Sequence, residues 1–235
     1  MKGTLYLIPN TLGDSPLQRL FPPYNRDIVC GITQFIVEET RSARRFLASL
    51  QLPHRIETLQ FYELNEHTAK TDAARLMELF LQGDVGLLSE AGVPGVADPG
   101  SEVVKLAHLE GIRVVPLVGP SSILLAMMAS GMNGQNFAFA GYLPVKKEAR
   151  AERIKQLEKR SAIEGQSQIF IETPYRNNAL LEELLRVCHP STRICVAADL
   201  TLETEFIRTA TRAEWKKGPL PDLHKRPTIW VLSSE

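Results

Sequence analysis

The sequence predicts an α/β protein. Short apolar, β-prone runs alternate with helical segments along the whole chain, and several of those runs end in glycine- and proline-rich loops. The stretch from Val85 to Val115 reads as strand, helix, strand, and a βαβ unit requires a parallel pair. At 235 residues, 44 % of them hydrophobic, the chain suits one large or two small domains with a packed core.

Thr4–Ile8 is the first strand, stopped by Pro9-Asn10. Gly13-Asp14-Ser15-Pro16 and Pro22-Pro23-Tyr24-Asn25 predict a long irregular connection. Ile28–Val37 is apolar and fits strand or helix. Ser42–Leu50 is a helix with Ala43, Phe46, Leu47 and Leu50 on one face and Arg44 and Arg45 turned away. Ile56–Tyr62 fits a strand and Thr71–Gln82 an amphipathic helix. Ser101–Glu110 is a helix closed by Gly111, and Ile112–Val115 is the next strand. Ser121-Ser122 stand where hydroxyls would cap the apolar helix Ile123–Ala129. Phe137–Tyr142 and Gln168–Glu172 are strand-like, with a charged helix over Lys146–Arg160 between them. Asn178–Cys188 is a helix, and Arg193–Ala198, Glu203–Thr209 and Pro227–Ser233 are strands, with Trp215 on a short helix. Composition does not shift along the chain, so the division expected, residues 1–117 and 118–235, rests on topology.

Two stretches stand apart. LLSEAGVPGVADPG (Leu87–Gly100) follows a buried-type strand with small side chains, two glycines free to take positive φ and prolines that stiffen the path. VVPLVGPSS (Val114–Ser122) repeats the plan. A single such loop is an ordinary strand-to-helix connection; two in one chain are what a ligand crevice at the carboxyl ends of strands requires.

Several chemistries are excluded. There is no Gly-Lys-Ser/Thr phosphate loop, no GxGxxG and no GxSxG elbow. The five histidines are scattered and the three cysteines unclustered, so no metal site is expected. The odd, unspaced cysteines fit reduced thiols, no apolar run reaches membrane-spanning length, and MKGTLYLIPN is too short a run for a signal peptide. A cytoplasmic protein is expected. With 27 basic and 27 acidic side chains, any contact with nucleic acid must come from a local patch. What remains is a ligand held by backbone and small side chains, suited to a cofactor that brings its own reactivity, such as a sulfonium methyl donor.

LYLIPNTLGD, VEETRSARRFL, the two loops, FAFAGYLPVKKEAR, IFIETPYRN and LTLETEFIRTAT together resemble the tetrapyrrole methylase superfamily of S-adenosylmethionine-dependent methyltransferases. The resemblance runs along nearly the whole chain and is nearest to the family that 2′-O-methylates a cytidine of small-subunit ribosomal RNA. It implies two α/β domains with a cofactor cleft between them, and a homodimer. It places the cofactor against Pro9, against Ser89, Ala91, Gly92, Val93 and Pro94, and against Gly119, Pro120, Ser121 and Ser122. Glu172, Thr173, Ala198 and Thr228 are the implied contribution of the second domain. The chain departs from the family at Glu90 and Val93 (Asp and Thr in the family pattern), at Pro9–Asp14, at Tyr62–Glu66 and at Lys225-Arg226-Pro227.

Methyl transfer is an in-line displacement, and a carboxylate could accept the proton of a ribose hydroxyl. Asp98, Glu90 and Glu39 are the candidates, against turn-capping for Asp98 and a helix-terminus ion pair for Glu39 and Arg41. Lys146, Lys147 and Arg150 head the densest basic run, which is either a solvated helix face or a phosphate-binding surface. Tyr175 and Arg176 could stack on or pair with substrate, whereas Trp215 and Trp230 are expected in the core. Three readings stand: methyl transfer to ribosomal RNA, methyl transfer to a tetrapyrrole or other small molecule, and a binding module that has lost its chemistry.

Overall fold

The computed structural model describes residues 2–64 and 75–234, which divide into two compact units, Met1–Ser121 and Ser122–Glu235. The expected helix over Thr71–Gln82 lies partly outside the described residues. Its described end, Leu76–Leu81, is a 3-10 helix with Leu79 and Phe80 buried.

The first unit holds a five-stranded parallel sheet of β1 (Leu5–Ile8), β2 (Gln34–Val37), β3 (Gln60–Glu63), β4 (Val85–Leu88) and β5 (Val114–Pro116). Its order is β3-β2-β4-β1-β5, with Ile8 opposite Leu88 and Leu7 opposite Pro116. A parallel sheet is covered on both faces, so its strands read as continuous apolar runs. Alternation divides them: Ile8, Phe35 and Leu88 pack against Phe46 and Leu47, while Leu5, Ile36 and Leu87 pack against Val103 and Ala107. These partners lie on α3 (Thr40–Ser49) and α4 (Gly100–Leu109). The expected loop Gly13–Asn25 is a correction, because it carries α1 (Leu17–Leu20) and the start of α2 (Pro23–Val29). Pro23 occupies the first helical position, where a missing N–H loses nothing, so Pro-Pro opens a helix instead of barring one. Ile28–Val37 divides between the end of α2 and β2.

The second unit holds a mixed sheet ordered β6-β7-β10-β8-β9: β6 (Phe137–Tyr142), β7 (Ser167–Ile171), β8 (Arg193–Ala198), β9 (Phe206–Thr211) and β10 (Thr228–Ser233). Only β6–β7 is parallel; the remaining pairs are antiparallel. One face is covered by α6 (Lys147–Glu164) and α7 (Asn177–Val187) through Ile154, Leu157, Leu180 and Leu184. On α5 (Ser122–Ser130) Ala126, Met127 and Ser130 are buried, and α8 (Arg212–Trp215) opens on a capping box between Thr211 and Glu214. Trp215 and Trp230 are fully buried as expected, their indole N–H groups donating to the Ile194 carbonyl (2.9 Å) and to Asn177 Oδ1 (3.3 Å).

Candidate functional site

In the first unit β1, β4 and β5 run the same way, so the loops that follow them leave one edge of the sheet. They are stitched together there. Asn10, 7 % exposed, donates its backbone N–H to the Gly92 carbonyl (2.9 Å) and its side-chain amide to the Glu90 carbonyl (3.0 Å). Its Oδ1 accepts from the Thr11 N–H at 2.8 Å. Ser89 is buried and its hydroxyl donates to the Ala91 carbonyl at 3.2 Å. Gly92 has φ +69°, and a Cβ there would stand 3.1 Å from both Leu12 Cδ2 and the Pro120 carbonyl oxygen. At Gly119 a Cβ would stand 2.2 Å from the Cβ of Pro9, closer than any real contact. The two low-bulk bends and the end of β1 therefore meet inside the first unit, with no room for side chains where they touch. Gly95 (φ +83°) faces open space, so the loop presents bare backbone beside this junction. Such a cradle fits a ligand gripped by main-chain groups.

The three candidate carboxylates sit differently. Asp98 is half-buried, and its oxygens accept from the N–H groups of Gly95 (2.8 Å) and Gly100 (2.7 Å). Burial pushes its carboxyl above the ordinary value, against the lowering effect of the N–H groups of Gly95, Gly100 and Val96. Asp98 thus braces the loop. Glu39 caps α3, accepting from Ser42 N (2.6 Å) and Arg41 N (2.8 Å), and those two N–H groups hold it below the usual carboxylate range. Glu90 alone of the three has an exposed side chain lining a cleft of about 540 Å³.

That cleft is shared by the loop Asn10–Ser15, by Glu90 and Ala91, and by Ser42, Arg45 and Ser49 of α3. Positions 42, 45 and 49 lie three and four residues apart and so share a helical face. The same periodicity could have marked them in the sequence, but only once Arg45 is read as facing a neighbour and not merely away from the core. Asn10 carried no signal, because its value depends on where the loop after β4 passes.

In the second unit the register sets Thr228 opposite Ala198 and Ile229 opposite Ile171. Glu172 and Thr173, Ala198 and Thr228 accordingly gather at one end of that sheet. The Glu172 side chain is fully buried; its Oε1 accepts from Arg176 Nη2 (2.6 Å) and Thr173 N (2.7 Å). Its Oε2 accepts no hydrogen bond, the Arg150 guanidinium standing 4.0 Å away. Burial alone would raise Glu172, but the hydrogen bond and charge of Arg176 prevail and hold it low. Thr228 is buried and its hydroxyl donates to the Arg226 carbonyl at 3.0 Å.

Arg150 departs from the substrate-facing expectation: it is 8 % exposed, with Nε on Glu183 at 2.5 Å, because its position falls on the inward side of α6. Lys146 and Lys147 are exposed at the start of that helix. Arg176 is turned to Glu172, while Tyr175 is 69 % exposed beside His224, ring centroids 5.9 Å apart. Arg41 is exposed, and Ser121 and Ser122 lie half-buried at the entry to α5.

Among the described residues no group of three or more His, Cys, Asp or Glu could hold a metal ion, and no helix is long and apolar enough to cross a membrane. Cys188 and Cys195 are buried free thiols, burial pushing both above the ordinary range.

The sequence profile of the family described as Tetrapyrrole (Corrin/Porphyrin) Methylases matches residues 27–216. A Mesorhizobium japonicum protein named Ribosomal RNA small subunit methyltransferase I is 34 % identical over 216 residues, covering 90 % of this chain and 68 % of its own. Its Vibrio cholerae namesake is 30 % identical over 213 residues, 89 % of this chain and 69 % of its own. Among solved structures, the methyltransferase CobJ superposes with a TM-score of 0.64 at 17 % identity, covering 99 % of this chain and 94 % of that one. Uroporphyrin-III C-methyl transferase from Thermus thermophilus, complexed with S-adenyl homocysteine, gives 0.55 at 18 % identity, covering 99 % and 98 %. The fold is theirs, and the chain belongs to the tetrapyrrole methylase family of S-adenosylmethionine-dependent methyltransferases.

Proposed function

We propose that this enzyme transfers a methyl group to a ribose 2′-hydroxyl of small-subunit ribosomal RNA, in the cytoplasm. The observation that supports it is the stitched junction of Pro9-Asn10, Ser89–Pro94 and Gly119–Ser121 in the first unit, in a chain whose curated relatives carry a ribosomal RNA methyltransferase name. Pro9, Ser89, Ala91, Gly92, Val93, Pro94, Gly119, Pro120, Ser121 and Ser122 are the proposed cofactor contacts. Glu172, Thr173, Ala198 and Thr228 are the second unit's proposed contribution, and the unfilled Oε2 of Glu172 suits a ligand donor. When bound, S-adenosylmethionine supplies an electrophilic methyl group on sulfonium. The chain's part is to fix geometry and move one proton. Asn10 and Ser89 lock the loop, Asp98 braces its far end, and Glu90, the carboxylate without a structural duty, accepts the hydroxyl proton as the oxygen takes up the methyl. Lys146, Lys147 and Tyr175 offer exposed contacts for RNA.

A homodimer is part of the proposal. Helix α5 is apolar all round, and Leu124 and Met128, one turn apart, are 51 % and 79 % exposed.

The test is calorimetry with the methyl donor, then transfer of labelled methyl to unmodified small ribosomal subunits and, separately, to uroporphyrinogen. Binding with transfer to the subunits alone is expected. Transfer to the tetrapyrrole alone would replace the RNA reading, and absence of binding would leave a chain without methyltransferase chemistry.

A further inference from the structure

The cleft beside Glu90 is lined mostly by residues that the cofactor reading does not use. It shares Ala91 with the proposed cofactor contacts but is not lined by Gly92–Pro94 or Gly119–Ser122, so it adjoins the proposed cofactor cradle at that residue. At about 540 Å³ it is within the range of ligand pockets, ~300–1,000 Å³. Among the described residues Arg45 is its one cationic lining residue; it is exposed and makes no hydrogen bond or ion pair with any of them. Its neighbour Arg44 is engaged elsewhere, its guanidinium 5.6 Å from the centroid of the Phe61 ring. Ser42 and Ser49 donate their hydroxyl protons to the carbonyls of Glu39 (3.0 Å) and Phe46 (2.6 Å), so each oxygen keeps acceptor capacity. Asp14 and Glu90 add two carboxylates. A bare anion would find one guanidinium and two opposing charges. A ribonucleotide, with one phosphodiester and several hydroxyl and amino donors, matches the whole set.

We propose that this cleft is the substrate subsite, seating one nucleotide of a single-stranded RNA segment with its phosphodiester on the Arg45 guanidinium and its ribose toward Glu90. The proposal rests on the RNA reading above and adds a residue and a place to it. A phosphate contact positions the chain without reading its sequence, so Arg45 governs affinity and register. One lost contact flattens the dependence of log affinity on log salt by about 0.7–1.

The experiment compares wild type, Arg45→Ala, Arg45→Lys and Arg44→Ala for labelled methyl transfer to unmodified small subunits at several salt concentrations, with calorimetry of S-adenosylmethionine binding in parallel. Arg45→Ala is expected to raise KM for the subunit about tenfold and flatten the salt slope by about one, with kcat and cofactor affinity within about twofold of wild type. Arg45→Lys restores most of the slope, and Arg44→Ala, which removes the same charge one residue away, leaves KM and slope unchanged. Equal effects of Arg44→Ala and Arg45→Ala would reduce the contact to general electrostatics and overturn the subsite, as would an unaltered Arg45→Ala. Wild-type enzyme that binds cofactor yet transfers nothing to the subunits would remove the RNA reading itself, a result separate from either.

Discussion

Gly119→Ala tests the junction most directly. Gly119 is not in the left-handed region, so in open space the change would stabilise by about 0.4–1 kcal/mol through the unfolded chain. Here the new Cβ would stand 2.2 Å from the Cβ of Pro9, and ordinary contact begins at 3.4 Å, so the two segments must part by more than an ångström. Proline cannot rotate away, and overpacking of this kind costs about 1–3 kcal/mol. The net expectation is about 1–2 kcal/mol of destabilisation, a Tm lower by roughly 3–8 °C on the scale for domains of this size. Cofactor affinity should fall at least tenfold, since each ~1.4 kcal/mol of misplaced contact is a factor of ten. Gly134→Ala, whose Cβ would meet nothing within 4 Å, is the control by thermal unfolding and calorimetry. A Gly119→Ala enzyme with the control's Tm and wild-type affinity would mean that the contact between Pro9 and Gly119 is not part of the binding site.

Glu90→Gln should leave Tm within about 1 °C, because the side chain is exposed, while slowing single-turnover transfer about 10²-fold or more. Glu172 is held below its ordinary value, so its ion pair stabilises the fold above about pH 4.5 and is lost as pH falls through the folded value. Glu172→Gln should therefore lower Tm at pH 7, by about 1–3 kcal/mol in stability, and weaken the acid dependence of Tm in a pH series. Met128→Arg should shift the protein to monomer in sedimentation without lowering the stability of the second unit, since the side chain is 79 % exposed.

The sequence on its own determined most of the alternation of elements, because the short, continuous apolar runs of β1 and β4 suit strands covered on both faces, whereas Ile28–Val37 left strand and helix both open. It also determined which loops have no bulk, and the family to which they belong. It could not determine what those loops touch. That Gly119 must be glycine follows from Pro9, 110 residues earlier, and that Asn10 matters follows from the carbonyls of Glu90 and Gly92. Charge alone likewise gave Arg44, Arg45 and Arg150 one appearance. Only the packing separated them: Arg150 is inside on Glu183, Arg44 lies over Phe61, and Arg45 is left facing a cleft. Local spacing fixes which face of a helix a residue occupies, whereas what lies opposite that face is decided by chain segments far away in sequence.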